Sequence, residues 1–230
     1  MRRILWCGGS QLAQAKKNIL SSYPDFLNEF AVTAAGFHRW YLAGHRIAIH
    51  NSGIVGLDRF RAINKTVYYE EDYDYCVFVG QYVQPTRYFL GDAPLSQSLI
   101  AATLHGRDFL LDLRSGHAVN EFRNNNVPEY FRNQPLEFFA KVFAGKMILL
   151  HDPLPCVYPE YLVVPADAKM QFNQSVIEFC GERGIRLILQ DKATIDEYWM
   201  TKKEYQRVEG DYTHVNDMLW HITLANIFNS

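Results

Sequence analysis

Residues 4–10 of the chain are Ile-Leu-Trp-Cys-Gly-Gly-Ser, an apolar run of strand length that stops at two glycines and a serine. A segment of helical period follows, with Leu12, Ala15, Ile19 and Tyr23 on one face. Two adjacent glycines allow a tight turn between a strand and a helix. The stretch therefore predicts a strand–turn–helix unit at the start of the chain.

The same alternation recurs further along the chain. Apolar runs of strand length cover residues 46–50, 75–79, 146–150 and 185–189. Segments of helical period precede the last two runs, and another helix ends the chain. Short, continuously apolar strands separated by helices are typical of a parallel sheet that is covered on both faces. We therefore predict an α/β fold, a three-layer α/β/α (flavodoxin-like) domain with a five-stranded parallel sheet.

A length of 230 residues, of which 48% are hydrophobic, fits one domain with a substantial core. Residues 84–133 have no clean period, and we expect an irregular excursion there with a short helix near 96–104. The chain has no evident internal repeat or interdomain linker. We therefore expect a single domain over residues 1–230.

Composition excludes other classes of protein. A net charge of −2 lacks the positive excess typical of nonspecific nucleic-acid binding. No apolar run approaches the roughly 18 residues that a membrane span needs, and the first run is too short for a secretory signal. The four cysteines are far apart with no Cys-x-x-Cys pair, which favours buried free thiols in a cytoplasmic protein. His38, His45 and His50 lack the spacing of a metal site.

Ligands of an open parallel sheet bind outside the carboxyl ends of its strands. Ser10 follows the first predicted strand at the start of a helix, where backbone N–H groups and the positive end of the helix dipole lie. A serine there is either a helix N-cap or, with a base nearby, a nucleophile. His214 is the candidate base, because Asp211 three positions earlier can orient its imidazole through Nδ1.

Taken together, these motifs resemble the SGNH (GDSL-type) hydrolase superfamily. The first block is Gly8-Gly9-Ser10-Gln11, the second contains Gly56, the third starts with a glycine followed by an amide, and Asp-x-x-His precedes the last helix, in the family's order. The resemblance implies that Ser10 is the nucleophile and that Asp211 and His214 complete its triad. It also implies that the N–H groups of Ser10 and Gly56 bind the oxyanion.

Two blocks depart from the family's pattern. The family's Gly-Asp-Ser is Gly-Gly-Ser here, and its Gly-x-Asn-Asp is Gly80-Gln81-Tyr82-Val83. The usual oxyanion-donating asparagine is therefore missing. We expect the Gln81 amide to take its place, with the Tyr82 hydroxyl as the alternative donor. One oxyanion donor contributes about 10²–10³ in turnover.

The resemblance implies hydrolysis of an ester through an acyl-enzyme, with no cofactor or metal. The expected substrate is a small-molecule or carbohydrate ester, such as an O-acetyl group on a sugar. Gln11, Tyr82 and His151 are candidates for the substrate pocket, although His151 with Asp152 is alternatively a structural pair. Two other functions stay open: an acyltransferase of polysaccharide biosynthesis that uses the same site, and a non-catalytic binding module on this fold. The sequence leaves the oligomeric state open.

Overall fold

The structure is a computed structural model, and it describes residues 1–32, 38–43, 46–51, 67–79, 135–151, 153–154, 156, 174, 176–197, 200–209, 214–225 and 227–228. In chain order the strands and α-helices are β1 (Arg3–Gly8), α1 (Ser10–Ser22), β2 (Leu27–Val32), β3 (His38–Ala43), β4 (Arg46–Asn51), β5 (Val67–Tyr69), β6 (Tyr75–Val79), α2 (Pro135–Val142), β7 (Met147–Leu150), α3 (176–182), β8 (Arg186–Ile188) and α4 (Asp217–Ala225). Single 3-10 turns cover Glu70–Asp72, Lys192–Thr194 and Lys203–Tyr205.

A five-stranded parallel sheet forms the centre of the molecule, in the order β2-β1-β6-β7-β8. All four neighbouring pairs are parallel. Counted along the chain, this order is 2-1-3-4-5, which is the flavodoxin-like order. The predicted five-stranded parallel sheet is confirmed, although one of its strands is not the one predicted.

One face of this sheet packs against α1 and α4. Alternate strand residues point toward the helices, among them Ile4 and Trp6 of β1 and Val77 and Val79 of β6. The helices contribute Leu12, Ala15, Ile19, Leu219, Trp220 and Leu224 to the same buried cluster. The amphipathic period seen after residue 10 thus places the apolar stripe of α1 on the sheet, because residues three and four apart share one helix face.

The opposite face of the sheet packs against α2. The Phe78 ring of β6 meets the Phe139 ring of α2 edge-on, with centroids 4.9 Å apart. Phe139 and Phe143 are both fully buried. Helices on both faces of the sheet give the three layers that the sequence predicts.

A second, three-stranded antiparallel sheet follows β2, in the order β3-β4-β5. The prediction that residues 46–50 form a strand of the parallel sheet is therefore wrong: they form β4 of this second sheet. Its place in the parallel sheet belongs to β2, which the sequence did not predict. The Tyr68 hydroxyl of β5 donates to the Phe30 carbonyl of β2 at 3.2 Å, which holds the second sheet against the edge strand.

All four cysteines are free and buried, as expected for structural thiols. The predicted excursion at 84–133 and the predicted helix near 96–104 lie outside the described residues. None of the helices in the described ranges has the length and apolar character that a membrane span requires.

Candidate functional site

The site that the sequence points to lies where the order of the parallel strands reverses. From β1 the chain passes to β2 on one side, and β6 then lies on the other side of β1. In sheets of this kind the ligand binds in the crevice outside the carboxyl ends of the two strands at that point. Those ends are Gly8 of β1 and Val79 of β6, which are paired with each other.

Gly8 is required at this position by the close approach of β6. A Cβ atom on Gly8 would lie 2.1 Å from the Val79 carbonyl oxygen, well inside any contact that real Cβ atoms make. The absence of a side chain therefore lets β1 and β6 come together directly beneath the turn that carries Ser10. The glycine has a packing role here in addition to the turn that the sequence suggested.

Ser10 is the first residue of α1, and Gly9 before it occupies the N-cap position. The first helical hydrogen bond runs from the Ala13 N–H to the Gly9 carbonyl at 3.1 Å. Ser10 is thus one position inside the helix, so the N-cap alternative does not describe it. Its backbone N–H belongs to the first turn, whose N–H groups have no acceptor within the helix.

The segment that carries His214 is held by backbone pairing with residues 205–207. The Arg207 N–H donates to the His214 carbonyl at 3.3 Å, and the Asn216 N–H donates to the Tyr205 carbonyl at 2.9 Å. Gln206 and Val215 form an antiparallel bridge between these two bonds. The backbone of His214 is therefore fixed immediately before the last helix, and the residue is partly exposed.

Asn216 caps the helix that follows His214. Its side-chain oxygen accepts from the N–H groups of Met218 at 3.1 Å and Leu219 at 3.3 Å. Its amide nitrogen donates to the Glu204 carbonyl at 2.7 Å. An asparagine cap with this geometry fixes the start of α4 at Asp217.

The start of α4 lies against α1. The Asn18 amide donates to the Asp217 carboxylate at 2.9 Å. Gln14, Val215 and Asp217 line one cleft between the two helices, with a volume of about 390 Å³. Gln14 is one helical turn, about 6 Å along the axis, from Ser10, and Val215 is next to His214. The helix that begins at Ser10 and the segment that carries His214 therefore meet at a shared cleft.

Two of the candidate pocket residues are deeply buried. Gln11 is 3% exposed and His151 is 4% exposed. The His151 N–H donates to the Ile188 carbonyl at 2.9 Å, which continues the pairing of β7 with β8 by one residue. His151 therefore directly follows β7 at the carboxyl edge, as predicted, and its backbone is hydrogen-bonded to β8.

The other predicted site residues, Gly56, Gln81, Tyr82 and Asp211, lie outside the described residues, as does Asp152 beside His151. The expectation that the Gly56 loop follows a strand of the parallel sheet is wrong, because the strand before it is β4 of the antiparallel sheet.

The surroundings of Cys7, three residues before Ser10 in the sequence, disfavour it as a competing nucleophile. Cys7 is fully buried in β1, and its sulfur lies 3.8 Å from the Cys76 sulfur of the neighbouring strand. Burial, reinforced by the hydrogen bond and the charge interaction with Cys76, raises the pKa of the Cys7 thiol well above its ordinary value. A thiol must be deprotonated to attack, so its burial and its raised pKa both disfavour Cys7 as a nucleophile.

Within the described part of the chain, no group of three or more His, Cys, Asp or Glu side chains is placed to hold a metal ion.

No protein-family model and no curated protein matches the chain. Among solved structures, it is similar to a candidate acylhydrolase from Bacteroides fragilis, with 9% identity and a TM-score of 0.47 over 97% of this chain and 83% of that one. It is also similar to a lipase/acylhydrolase from Enterococcus faecalis, with 14% identity and a TM-score of 0.47 over 98% and 92% of the two chains. A GDSL-like lipase from Bacteroides thetaiotaomicron shows 11% identity and a TM-score of 0.42 over 97% and 84%.

A buried polar network beside the carboxyl ends of β7 and β8 was not anticipated from the sequence. The Gln190 amide accepts from the Leu154 N–H at 2.8 Å and donates to the hydroxyls of Thr194 at 3.1 Å and Thr201 at 3.0 Å. The Thr201 hydroxyl in turn donates to the Leu154 carbonyl. Gln190 comes just after a predicted strand, and polar residues in that position are the signal that singled out Ser10 and His151. Because its polar groups pair with one another, the network supports the edge rather than offering a free ligand.

Proposed function

We propose that this protein is a serine ester hydrolase in which Ser10 is the nucleophile, His214 the general base and Asp211 the residue that orients His214. The observation that carries the proposal is the meeting of two distant segments: the helix that begins at Ser10, at the strand reversal, and the segment of His214 line one cleft. A nucleophile and its base need this kind of convergence, since proton transfer requires atoms about 3 Å apart.

In the proposed reaction, the Ser10 oxygen attacks the ester carbonyl while Nε2 of His214 removes the hydroxyl proton. The protonated imidazole, held by Asp211, then gives that proton to the leaving alcohol. Water attacks the resulting acyl-enzyme while His214 takes a proton from it, and that proton passes to the Ser10 oxygen as the acid leaves. The proposed steps need no metal or cofactor.

The proposed oxyanion hole combines the N–H groups of Ser10 and Gly56 with the amide of Gln81, or the hydroxyl of Tyr82. The N–H of Ser10 is supported by its place in the first turn of α1. The proposed role of the Gly56 N–H is supported by the path of the chain before it. Strand β4 ends at Asn51, which pairs with His38 at the start of β3. His38 follows Val32, the carboxyl end of β2, by six residues, and Gly56 follows Asn51 by five.

The proposed substrate is a small-molecule ester, and we favour an O-acetyl group on a carbohydrate. We also propose a cytoplasmic location, which the four free and buried thiols support, because reducing compartments keep thiols unpaired.

A fluorophosphonate probe tests the proposed nucleophile. We expect the wild-type protein to be labelled and to hydrolyse p-nitrophenyl acetate, and Ser10→Ala to lose both, with turnover reduced by about 10³-fold or more. The matched control is Ser21→Ala, at the far end of the same helix, where the hydroxyl donates to the Asn18 carbonyl. This control keeps labelling and turnover.

Absence of labelling in the folded wild-type protein would reject the nucleophile and favour a binding module. Labelling combined with acetyl transfer from acetyl-coenzyme A to a sugar, in place of hydrolysis, would favour the acyltransferase.

A further inference from the structure

Asn18 is a polar residue on the apolar face of α1. It is only 3% exposed, and its neighbours on that face, Ala15 and Ile19, are fully buried. Asparagine has a lower helical preference than alanine or leucine, and burial of its amide costs free energy unless the amide is hydrogen-bonded. On grounds of helix formation and burial alone, an apolar side chain would suit this position better, so the asparagine calls for a separate explanation.

The Asn18 side chain connects α1 to the start of α4. Its amide nitrogen donates to the carboxylate of Asp217, the first residue of α4, at 2.9 Å, although the two residues are 199 positions apart in the chain. A hydrogen bond to a carboxylate is short and directional. The buried apolar side chains of the two helices, by contrast, attract without a preferred direction. The Asn18–Asp217 bond therefore specifies which turn of α1 lies beside the start of α4.

A second hydrogen bond shows how α1 and α4 are oriented. Tyr23, directly after α1, donates its hydroxyl to the carbonyl of Leu224 near the end of α4. Because α4 starts beside an earlier turn of α1 and finishes beside the residue that follows α1, the two helices run in the same direction. The residues just before α4 therefore lie on the side of Ser10, which agrees with the cleft that Gln14 and Val215 share.

His214 is joined to the start of α4 by hydrogen-bonded residues. The Asn216 side chain accepts from the N–H groups of Met218 and Leu219, and its own N–H donates to the Tyr205 carbonyl. The segment that carries His214 therefore follows α4 when α4 moves along α1. A shift by one residue is about 1.5 Å, and a shift by one turn is about 5.4 Å. A general base must lie about 3 Å from the oxygen whose proton it removes, so a shift of either size decides whether it can act.

We propose that the Asn18–Asp217 hydrogen bond positions His214 for proton transfer from Ser10 by fixing where α4 lies along α1. Both are positioning residues within the proposed ester hydrolase, on which this role rests, and neither belongs to the proposed triad or oxyanion hole. A buried polar contact between helices can specify their register at a cost in stability, as a single asparagine does in a coiled coil. The positioning role accounts for an asparagine in the apolar face of α1.

Asn18→Leu tests the proposed role. Leucine has the same branching at Cγ, removes the amide and favours the helix, while the exposed carboxylate of Asp217 stays in contact with water. We expect a free energy of unfolding at least equal to that of the wild type, measured by urea denaturation. We expect kcat for p-nitrophenyl acetate to fall about 10–100-fold, with KM changed by less than about twofold. Loss of turnover without loss of stability is a result that a purely structural role of Asn18 does not give.

Tyr23→Phe is the matched control, because it removes the other hydrogen bond to α4, at the end far from Ser10. It should lower stability and leave kcat within about twofold of the wild-type value. Asp217→Asn is the conservative variant, since it keeps a side-chain oxygen that can accept from Asn18 and removes only the charge. It should keep kcat within about threefold of the wild-type value.

A wild-type kcat in Asn18→Leu would overturn the proposal. An equal loss of kcat in Tyr23→Phe would overturn it too, because turnover would then follow any weakening of the contact with α4. Asn18→Ala is measured alongside, since leucine is larger than asparagine and alanine adds no volume between the helices. If both Asn18 variants lose turnover only together with stability, Asn18 is a structural residue and the proposal fails.

Hydrogen exchange measures how firmly α4 is held, without any catalysis. At the start of α4 the backbone N–H groups of Leu219 and Trp220 both donate to Asn216. In Asn18→Leu we expect both groups to exchange about tenfold faster than in the wild type, while Tyr23→Phe leaves them unchanged. If exchange rises but the wild-type protein cleaves no ester, the proposed hydrolase fails and the fixing of α4 on α1 stands. If the ester is cleaved and Asn18→Leu changes neither kcat nor exchange, the hydrolase stands and the positioning role fails.

Discussion

The two ends of the parallel sheet are built from different chemistry. At the amino ends of the strands, aromatic rings pack against one another. Beyond the carboxyl ends lie Gly9, the start of α1 at Ser10, and the buried polar side chains of His151 and Gln190. The same five strands therefore run from an end rich in aromatic contacts to an end with a helix start and buried polar side chains.

The aromatic end is organised around Tyr23, which follows α1. Its ring lies 6.0 Å from that of Trp6, 5.6 Å from that of Phe26 and 5.1 Å from that of Phe228, measured between centroids. Phe228 also contacts Tyr75, the first residue of β6, at 5.2 Å. Because each aromatic pair contributes about 0.5–1.5 kcal/mol beyond its buried area, this cluster anchors the residues after α4 on the sheet.

The carboxyl end holds its backbone in place by hydrogen bonds, and it leaves buried polar atoms unpaired. The Asn216 cap and the pairing of 205–207 with 214–216 fix the segment of His214. Nearby, the Gln14 carbonyl and the Trp220 N–H make no hydrogen bond within the described residues. Aromatic packing and the start of α1 at Ser10 thus lie at opposite ends of the sheet, and three substitutions test what each end contributes to stability and turnover.

The largest effect is expected for His214→Ala at the carboxyl end. Loss of the proposed general base should lower the turnover of p-nitrophenyl acetate by about 10²–10⁴-fold. Because His214 is partly exposed, the free energy of unfolding should change by less than about 0.5 kcal/mol. His221→Ala, an exposed position on α4, is the matched control and should preserve turnover. Equal turnover in the two variants would remove His214 from the mechanism.

The next effect is expected for Gly8→Ala, which places structural strain beneath the candidate site. The new Cβ would lie 2.1 Å from the Val79 carbonyl oxygen, so β1 and β6 must separate. We expect a loss of about 3 kcal/mol or more in the free energy of unfolding, measured by urea denaturation.

Gly181→Ala is the control for this substitution. Its Cβ would meet no heavy atom within 4 Å, and the residue lies in helix α3, so alanine should stabilise the protein by about 0.5–1 kcal/mol. If Gly8→Ala is as stable as the wild type, the close approach of the two strands is not essential.

The sequence predicted the central strands because burial on both faces gives continuous apolar runs, as in β1 and β6. It missed β2 because this edge strand begins with exposed Leu27 and continues through polar Asn28 and Glu29. It misplaced β4 because an apolar run alone does not distinguish a parallel strand from one arm of a hairpin. The pairing of Ala43 with Arg46 leaves only two residues between β3 and β4, which is the length of a tight hairpin connection.

The candidate site was predictable where it depends on local chemistry. The Gly8-Gly9-Ser10 turn and the start of α1 follow from neighbouring residues. The cleft of Gln14 and Trp220 depends on the packing of two helices that are far apart in the chain, and neither residue differs locally from an ordinary helical residue. Such a cleft becomes visible only after the two helices are docked.

The smallest effect is expected at the aromatic end, for Tyr23→Phe. The phenylalanine keeps the ring contacts and removes the hydroxyl that donates to the Leu224 carbonyl of α4. We expect a loss of about 1 kcal/mol in the free energy of unfolding at pH 7. Tyr69→Phe, an exposed position in β5, should change it little.

The difference in the free energy of unfolding between the wild type and Tyr23→Phe should depend on pH, and this dependence is the sharper test. Burial raises the pKa of Tyr23 to about 12, with Arg186 acting in the opposite direction. The hydroxyl of a tyrosine in an unfolded chain has a pKa of about 10. The folded state therefore binds the Tyr23 proton more tightly than the unfolded chain does. The contribution of Tyr23 to stability is therefore complete below about pH 10 and is lost as the pH rises toward about 12. Urea denaturation from pH 7 to about pH 11.5 should show the advantage of the wild type over Tyr23→Phe shrinking across that window. A constant difference would mean that the hydroxyl ionises as easily in the folded protein as in the unfolded chain, and that this end of the sheet is less closely packed than its ring contacts indicate.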